Sequence, residues 1–288
     1  MRDNFGDLEK IFSAYRTSKV VLLPLSYEGT VTYGKGTGHG PRAILQASRQ
    51  LELYDEELAQ ETFRIGIHTF KEIAGNTLSP GEMVAAVYRQ VSRLVKDEKF
   101  LVALGGEHSL SLGPVRALSD KYKDLSVLQL DAHADLRDKY QGTKYNHACI
   151  GRRILELAPL TQVGVRSLSR EEADYLKNRK RLKVFYASRI TGRGDWIEKV
   201  ISSLSPHVYL TLDLDVLDPG IMPSVGTPEP GGLGWYETLA FLRRLTRKKK
   251  IVGFDFMELS PQPGNIAPDF LAAKLVYKLL GYIFRSLS

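Results

Sequence analysis

The chain is poor in cysteine and in long apolar runs. Cys149 is the single cysteine among 288 residues, so no disulfide can form within the chain. This excludes a small scaffold held together by disulfides and favours a reducing compartment, for which we expect the cytoplasm. Apolar runs such as residues 20–23 fall far short of the roughly 20 residues that span a bilayer, and residues 1–16 carry acids without the apolar core of a secretory leader. We therefore expect neither export nor a membrane partner.

The chain has somewhat fewer acidic residues than basic residues. The 33 Asp and Glu residues face 40 Lys and Arg residues, which leaves a net charge of +7 and raises the possibility of a nucleic-acid partner. The densest basic stretch, residues 243–250, closes a helix predicted to begin near residue 235, where cations complement the helix dipole. No zinc finger, aromatic RNA-binding motif or helix-turn-helix pattern accompanies it. We therefore expect no nucleic-acid partner.

Short apolar runs alternate with amphipathic segments from end to end. Eight runs read as strands: residues 19–25, 63–67, 100–105, 125–130, 160–165, 182–187, 207–212 and 250–256. Several lack polar alternation, which is typical of parallel strands buried on both faces, and segments such as residues 81–99 repeat apolar residues at helical spacing. This predicts an α/β fold of three α/β/α layers around a mostly parallel, about eight-stranded sheet. No linker or repeat divides the chain, so we expect a single domain over residues 1–288.

Acidic and imidazole side chains follow four of the predicted strands. Ligands of open α/β sheets bind beyond the carboxyl ends of the strands, so these positions are candidates for function. In chain order they are His108, then Asp131, His133 and Asp135, then Asp213 and Asp215, and finally Glu258. Four aspartates and two histidines gathered at one sheet edge would repel one another without cations. The pattern therefore predicts a metal site.

The D-x-H-x-D motif carries most of this prediction. If the strand conformation continues, Asp131, His133 and Asp135 point to one face at spacings i, i+2 and i+4. Carboxylates with a few imidazoles suit Mn²⁺, whereas the shortage of thiolates disfavours structural zinc and iron–sulfur clusters. Six ligands are too many for one open ion, which indicates two ions about 3.5 Å apart with a bridging water of lowered pKa. Taken singly, His108 also fits a loop histidine, and Asp213 with Asp215 a solvated turn.

These motifs resemble those of the arginase/agmatinase superfamily of binuclear manganese ureohydrolases, over nearly the whole chain. The resemblance rests on GGEHSL (105–110), DAHADLRD (131–138), TLDLDVLDP (211–219), GTPEPGGL (226–233) and DFMELSP (255–261). Three further segments are similar to the agmatinase branch: GHGPRAILQAS (38–48), NHACIGRR (146–153) and GVRSLSREE (164–172). The resemblance implies an arginase-like fold, two Mn²⁺ per chain and a homo-oligomer, commonly a trimer or hexamer.

Residue roles follow from the resemblance position by position. One manganese would be held by His108, Asp131, Asp135 and Asp213, and the other by Asp131, His133, Asp213 and Asp215, with Asp131 and Asp213 bridging. Asp135 would also orient the bridging hydroxide, and Glu258 would bind the guanidinium of the substrate. His147 would contact the substrate and shuttle protons, a role that suits its ordinary pKa near neutrality. The implied catalytic residues are thus His147, Asp135 and Glu258.

The resemblance implies hydrolysis of a small cationic guanidino compound to urea and a primary amine. Arginases carry an aspartate after the G-x-R strand, whereas this chain has Ser167, so the partner for an α-ammonium group is missing. We therefore expect agmatine, which would give putrescine and urea in polyamine biosynthesis. N-aminopropylagmatine, 4-guanidinobutyrate and arginine stay open as alternatives. The histone-deacetylase-like branch of the same fold, with one zinc and a tandem histidine pair, is disfavoured because none of the six histidines are adjacent.

Overall fold

The computed structural model describes residues 4–75, 77–177 and 179–285. In these residues the strands are β1 (Val20–Ser26), β2 (Tyr54–Asp55), β3 (Gln60–Glu61), β4 (Ile67–Thr69), β5 (Ile73–Ala74), β6 (Phe100–Gly105), β7 (Leu125–Leu130), β8 (Leu160–Val165), β9 (Leu182–Tyr186), β10 (His207–Asp213) and β11 (Lys250–Met257). The α-helices are α1 (Lys10–Ser13), α2 (Gly40–Ser48), α3 (Pro80–Lys96), α4 (Leu112–Lys121), α5 (Ile150–Leu157), α6 (Arg170–Leu176), α7 (Ala187–Ile190), α8 (Trp196–Ser202), α9 (Trp235–Lys248) and α10 (Ala267–Phe284). Within the same residues, none of these helices combines the length and apolar character needed to cross a membrane.

Nine strands of the described residues form one parallel sheet. Its order is β4-β1-β6-β11-β10-β7-β8-β9, and β5 pairs with the end of β1. The neighbouring strands of this sheet pair in parallel, while β2 and β3 form a separate antiparallel pair. The predicted mostly parallel sheet is confirmed, with one strand more than the eight expected.

The second predicted strand begins later than its apolar run. Residues Thr62–Ile65 form a 3₁₀ turn, and β4 starts at Ile67 after Gly66 has turned the chain with a φ of +79°. A Cβ on Gly66 would lie 2.7 Å from the Ser18 Cα, so this position needs glycine for close approach as well as for its φ. Phe63 and Ile65 still pack against the core, but from a turn. Apolar residues of a predicted strand can therefore contact the core without belonging to the sheet.

Alternate residues of the central strands enter opposite cores. Val102 and Leu104 of β6 pack into one core, whereas Leu101 and Ala103 of the same strand pack into the other. Helices α2, α8, α9 and α10 cover the first face, and α3, α4 and α5 cover the second. The predicted three-layer architecture is confirmed, and it explains why these strands lack polar alternation.

The strand order brings the predicted functional residues together. Strands β6, β11, β10 and β7 are consecutive neighbours at the centre of the sheet. Their carboxyl ends lead directly to His108, Glu258, Asp213 and Asp131. Residues separated by up to 150 positions in sequence therefore meet at one edge of the sheet, as expected for an open α/β fold.

Candidate metal centre

The first group of candidate ligands surrounds the ring of His108. Its Nδ1 atom lies 3.1 Å from Asp131 Oδ2, 3.2 Å from Asp213 Oδ2 and 3.6 Å from Asp135 Oδ2. All four side chains are buried, and three of them, His108, Asp131 and Asp213, bring ligand atoms close enough to hold one cation. The structure thus brings together the four residues expected around the first ion.

The second group shares Asp131 with the first. His133 Nδ1 lies 2.8 Å from Asp215 Oδ2 and 3.8 Å from Asp131 Oδ1, and these three residues form the second candidate set. Asp131 therefore offers Oδ2 to one group and Oδ1 to the other, which is the arrangement expected of a bridging carboxylate. Asp213, expected to bridge as well, belongs to the first group, and its Oδ1 accepts the Asp215 backbone N–H at 3.0 Å.

One ring hydrogen of His108 can be located from its buried neighbours. The Thr211 hydroxyl has one hydrogen and donates it to the acceptor-only carboxylate of Asp255, at 2.6 Å. Thr211 Oγ1 must then accept from His108 Nε2–H, which lies 2.8 Å away. The remaining ring atom, Nδ1, is buried and has no hydrogen-bond partner among the described residues. Although burial opposes it, Asp131 and Asp213 raise the pKa of His108 well above the ordinary value, so Nδ1 holds a proton in the metal-free cluster. A divalent ion would displace that proton and bind Nδ1, and the Thr211 contact holds the ring in that orientation.

The electrostatics of the cluster also fit a cation. Burial and the neighbouring carboxylates raise the pKa of Asp135 and of Asp213 well above the ordinary aspartate value. Burial alone would lower the pKa of His133, but Asp215 and Asp131 raise it to about 11. Without a cation the cluster therefore retains protons to offset its repulsion. Divalent ions would displace those protons and supply the compensating charge.

The geometry of the D-x-H-x-D segment differs from the expected continuous strand. Strand β7 ends at Leu130, and Asp135 has a φ of +51°, so the three side chains do not alternate along an extended chain. The segment is held by other contacts: Ala132 N–H donates to Asp215 Oδ1, and Ala134 N–H donates to the Ser167 carbonyl. The ligands therefore converge from a loop that these contacts fix at the edge of the sheet. The condition for one strand face, a strand that continues through Asp135, is therefore not met, although the side chains converge as expected.

A cavity of about 180 Å³ opens above the two groups. Of the predicted site residues, it is lined by His108, His133, Asp135, His147, Asp213, Asp215 and Glu258, while Asp131 lies buried beneath. Glu258 has a φ of +67°, and its Oε1 accepts the His108 backbone N–H at 2.7 Å. Among the described residues its Oε2 has no hydrogen-bond partner, so this oxygen is available to a ligand in the cavity.

The pKa of His147 departs strongly from the near-neutral value on which its expected role was based. Burial and the positive charge of His108 and His133 lower the pKa of His147 to about 4. The imidazole is therefore neutral at neutral pH and begins a reaction as a proton acceptor. It could act as a donor only after taking up a proton within the site.

Arg166 was not predicted as part of the site. Its guanidinium Nη2 donates to the Asp215 carbonyl at 2.7 Å and to the Glu229 carbonyl at 3.0 Å, and Nε donates to the Pro230 carbonyl at 3.1 Å. These bonds tie the turn that carries Asp215 to the loop after it. Arg166 was noted as part of the G-x-R segment, but sequence spacing does not show which carbonyl groups accept hydrogen bonds from an arginine. Thr211 and Asp255 were likewise noted only as parts of motifs.

Comparison with known proteins agrees with this geometry. The model of the arginase family matches residues 18–281. The chain belongs to the arginase family. A relative from Synechocystis sp., named N(1)-aminopropylagmatine ureohydrolase, is 45% identical over 94% of this chain and 90% of its own length. A relative from Pyrococcus horikoshii, named agmatinase, is 34% identical over 96% of this chain and 95% of its own length.

Solved structures of the arginase family show the same architecture. The agmatine ureohydrolase of Thermoplasma volcanium superposes with a TM-score of 0.89 at 32% identity, covering 99% of this chain and 95% of that one. This arginase-family chain is therefore an enzyme of the ureohydrolase type, with an arginase-like fold and two candidate metal-ligand groups at its centre.

Proposed function

We propose that the protein is a binuclear manganese ureohydrolase that hydrolyses the guanidinium group of agmatine to putrescine and urea. The observation that carries this proposal is the shared Asp131, which offers one oxygen to each of two ligand groups beneath a cavity that also contains Glu258. Oxygen-rich ligands with two imidazoles favour Mn²⁺ over softer metals. His108, Asp131, Asp135 and Asp213 would hold one ion, and Asp131, His133, Asp213 and Asp215 the other.

Each residue of the cavity would have a separate role in the reaction. Two divalent ions would supply a water of lowered pKa as the nucleophile. Glu258 Oε2 would accept hydrogen bonds from the planar guanidinium and fix its carbon above the ligand groups. Asp135 would accept a hydrogen bond from the attacking water and orient it. His147, neutral at rest, would take up a proton and return it to the departing amine, so that urea and an alkylammonium ion leave.

The far end of the cavity supports a substrate without an α-amino acid head group. Ser167 stands where arginases carry an aspartate, and its neighbours Leu168 and Ser169 line the cavity. Glu172, the acidic residue of this segment that lines the cavity, is already engaged: its Oε2 accepts the Ser169 N–H at 2.7 Å and its Oε1 accepts the Leu136 N–H at 2.9 Å. Glu172 therefore caps α6 instead of offering a free carboxylate to an α-ammonium group.

N-aminopropylagmatine is a second candidate substrate. Two relatives carry the name N(1)-aminopropylagmatine ureohydrolase, the Synechocystis protein and a Thermus thermophilus protein that is 38% identical over 98% of this chain. The reacting guanidinium would occupy the same place beside Glu258, and the extra aminopropyl arm would extend toward the rim. Tyr33, which lines the cavity and is 78% exposed, is available there to pack against the arm.

Urea release from four compounds tests the proposal. We expect Mn²⁺-loaded protein to release urea from agmatine or N-aminopropylagmatine at a kcat/KM at least roughly 100-fold above that for arginine, because no free acid meets the α-ammonium group. The fourth compound, 4-guanidinobutyrate, tests whether Arg137 at the cavity wall accepts a carboxylate instead. Parity with arginine, or a preference for it, would overturn the substrate assignment.

A further inference from the structure

Glu107 is a buried carboxylate that the proposed reaction does not use. It is fully buried, and both of its oxygens are saturated by donors from two loops. Oε2 accepts the backbone N–H groups of Gly29 at 2.8 Å and Thr30 at 2.6 Å. Oε1 accepts the Thr30 hydroxyl at 2.9 Å and the Ser109 hydroxyl. All four contacts direct a donor hydrogen to a Glu107 oxygen, so Glu107 serves as the acceptor at both oxygens.

The Thr30 hydroxyl links this carboxylate to His147. Thr30 is 5% exposed, and its only hydroxyl hydrogen is donated to Glu107. The same oxygen lies 3.2 Å from His147 Nδ1 and 3.3 Å from the His147 backbone nitrogen. Because its hydrogen is already committed, Thr30 Oγ1 can only accept from both atoms. Nδ1 must therefore carry the hydrogen, and the proton-free nitrogen of the neutral ring is Nε2.

We propose that Glu107 and Thr30 form a positioning relay that holds His147 as the Nδ1–H tautomer, with Nε2 free to exchange a proton in the cavity. The relay rests on the proposed role of His147, but the tautomer itself is independent of any substrate. In the opposite tautomer the Nδ1 lone pair would face the Thr30 oxygen, and Thr30 could satisfy it only by abandoning Glu107. That rearrangement would remove one of the two donors from a fully buried Glu107 Oε1, which is costly.

The relay resembles the one beneath the metal centre in its construction. There the Asp255 carboxylate fixes the Thr211 hydroxyl, which in turn fixes His108. In both cases a buried carboxylate accepts the hydroxyl hydrogen of a threonine. The threonine oxygen can then only accept, and this determines which ring nitrogen of a histidine carries hydrogen. The two threonines thereby fix a ring hydrogen on Nε2 of His108 and on Nδ1 of His147.

The tautomer can be measured directly in the wild-type protein. In metal-free protein at neutral pH, ¹⁵N NMR should show His147 with a protonated Nδ1 and a bare Nε2, its signals being identified by their loss in His147→Asn. Thr30→Ser should retain this tautomer, whereas Thr30→Val, which keeps the side-chain shape without the hydroxyl, should lose it or populate both forms. An Nε2–H tautomer in the wild type would overturn the proposal even if Thr30→Val does not fold.

Kinetics then test whether the tautomer matters for turnover. Thr30→Val should lower kcat for the better guanidino substrate by roughly 10- to 100-fold, with KM changed little and metal content unchanged, while Thr30→Ser should stay near wild type. Thr161→Val is the matched control, since Thr161 is buried, bonds Ser203 at 3.0 Å and lies near the opposite end of β8 from the site. Equal loss in Thr30→Ser and Thr30→Val would contradict the relay. Absence of urea release from wild type would instead refute the proposed function and leave the tautomer result standing.

Discussion

Glu258 presents one carboxylate oxygen to the protein and the other to the cavity. Its Oε1 is bonded to the His108 backbone N–H, and its left-handed backbone turns the side chain back over the end of β6. Burial and the nearby charges of Asp213 and Glu107 raise the pKa of Glu258 well above the ordinary value. A bound guanidinium would supply the opposite charge that favours ionisation. Substrate binding and ionisation of Glu258 are therefore expected to reinforce each other.

Glu258→Gln should weaken substrate binding without removing metal. The amide keeps an oxygen for the His108 N–H but loses the charge that meets the guanidinium, and a charge-assisted bond of about 1.5–3 kcal/mol corresponds to roughly a 10- to 100-fold rise in KM. Steady-state kinetics and metal analysis check this result. Glu156→Gln, at a side chain that is 58% exposed and pairs with the buried Arg153, serves as the control and should match wild type. An unchanged KM, or loss of metal from Glu258→Gln, would show that Glu258 has another role.

Sequence alone located the ligands but not the groups that orient them. Asp131, His133 and Asp135 were predictable because three ligands in five residues form a recognisable pattern. Thr30 and Thr211 were not, since a hydroxyl has no spacing signature and its role depends on which carboxylate lies beside it in space. The left-handed backbone of Asp135 was also unpredictable, because contacts from Asp215 and Ser167, both distant in sequence, set the course of this loop.

At the scale of elements, Arg166 joins the loop after β8 to two segments after β10. The bonds to the Asp215 and Glu229 carbonyls satisfy acceptors in turns that have no strand partner. A planar guanidinium reaches several carbonyls at fixed angles, which a single ammonium group cannot do. The position of Asp215 in the second ligand group therefore depends on a side chain from the loop after a different strand.

Arg166→Lys is expected to loosen this arrangement. Loss of several partly buried hydrogen bonds should cost about 1–3 kcal/mol and lower the Tm by roughly 3–10 °C, with weaker binding of Mn²⁺. Thermal unfolding and calorimetric titration with Mn²⁺ measure the two effects. Arg170→Lys, at a side chain that is 86% exposed and paired with Asp174, is the control and should change neither. Full metal affinity in Arg166→Lys would mean that Asp215 is held by other contacts.

The sequence predicted the class of fold but not the order of the strands in the sheet. Runs without regular polar alternation, such as β7 and β10, predicted buried parallel strands, and both are fully or almost fully buried. The insertion of β10 and β11 between β6 and β7 depends on long-range pairing that no local pattern encodes. Residues 63–67 show a second limit of the sequence pattern. Their apolar character correctly predicted contact with the core, but it did not distinguish the turn at Thr62–Ile65 from the strand that begins at Ile67.

At the scale of the whole molecule, the net charge of +7 describes the surface and not the cavity. The candidate site gathers Asp131, Asp135, Asp213, Asp215 and Glu258 at one end of the sheet. Two divalent ions would offset the four aspartates and leave Glu258 to attract a cationic substrate. The basic surplus of the chain is thus compatible with a cationic ligand.

Metal-free protein should lose stability as the pH rises. His133 has a folded-state pKa raised from 6.5 to about 11, so the stabilisation from its proton is complete below pH 6.5 and declines as the pH rises toward 11. A bound cation replaces that proton and removes this loss. We therefore expect the Tm difference between Mn²⁺-loaded and chelator-treated protein to widen between about pH 7 and 8.5, measured by thermal unfolding. A constant difference would show that the proton on His133 does not cause this loss of stability.

Urea formation from agmatine or N-aminopropylagmatine before and after metal removal tests the central claim most directly. Protein loaded with two Mn²⁺ per chain should release urea and the corresponding polyamine in equal amounts, lose this activity on chelation and regain it when Mn²⁺ is restored. Failure of fully loaded protein to release urea from either compound, or activity that survives complete removal of metal, would contradict the account.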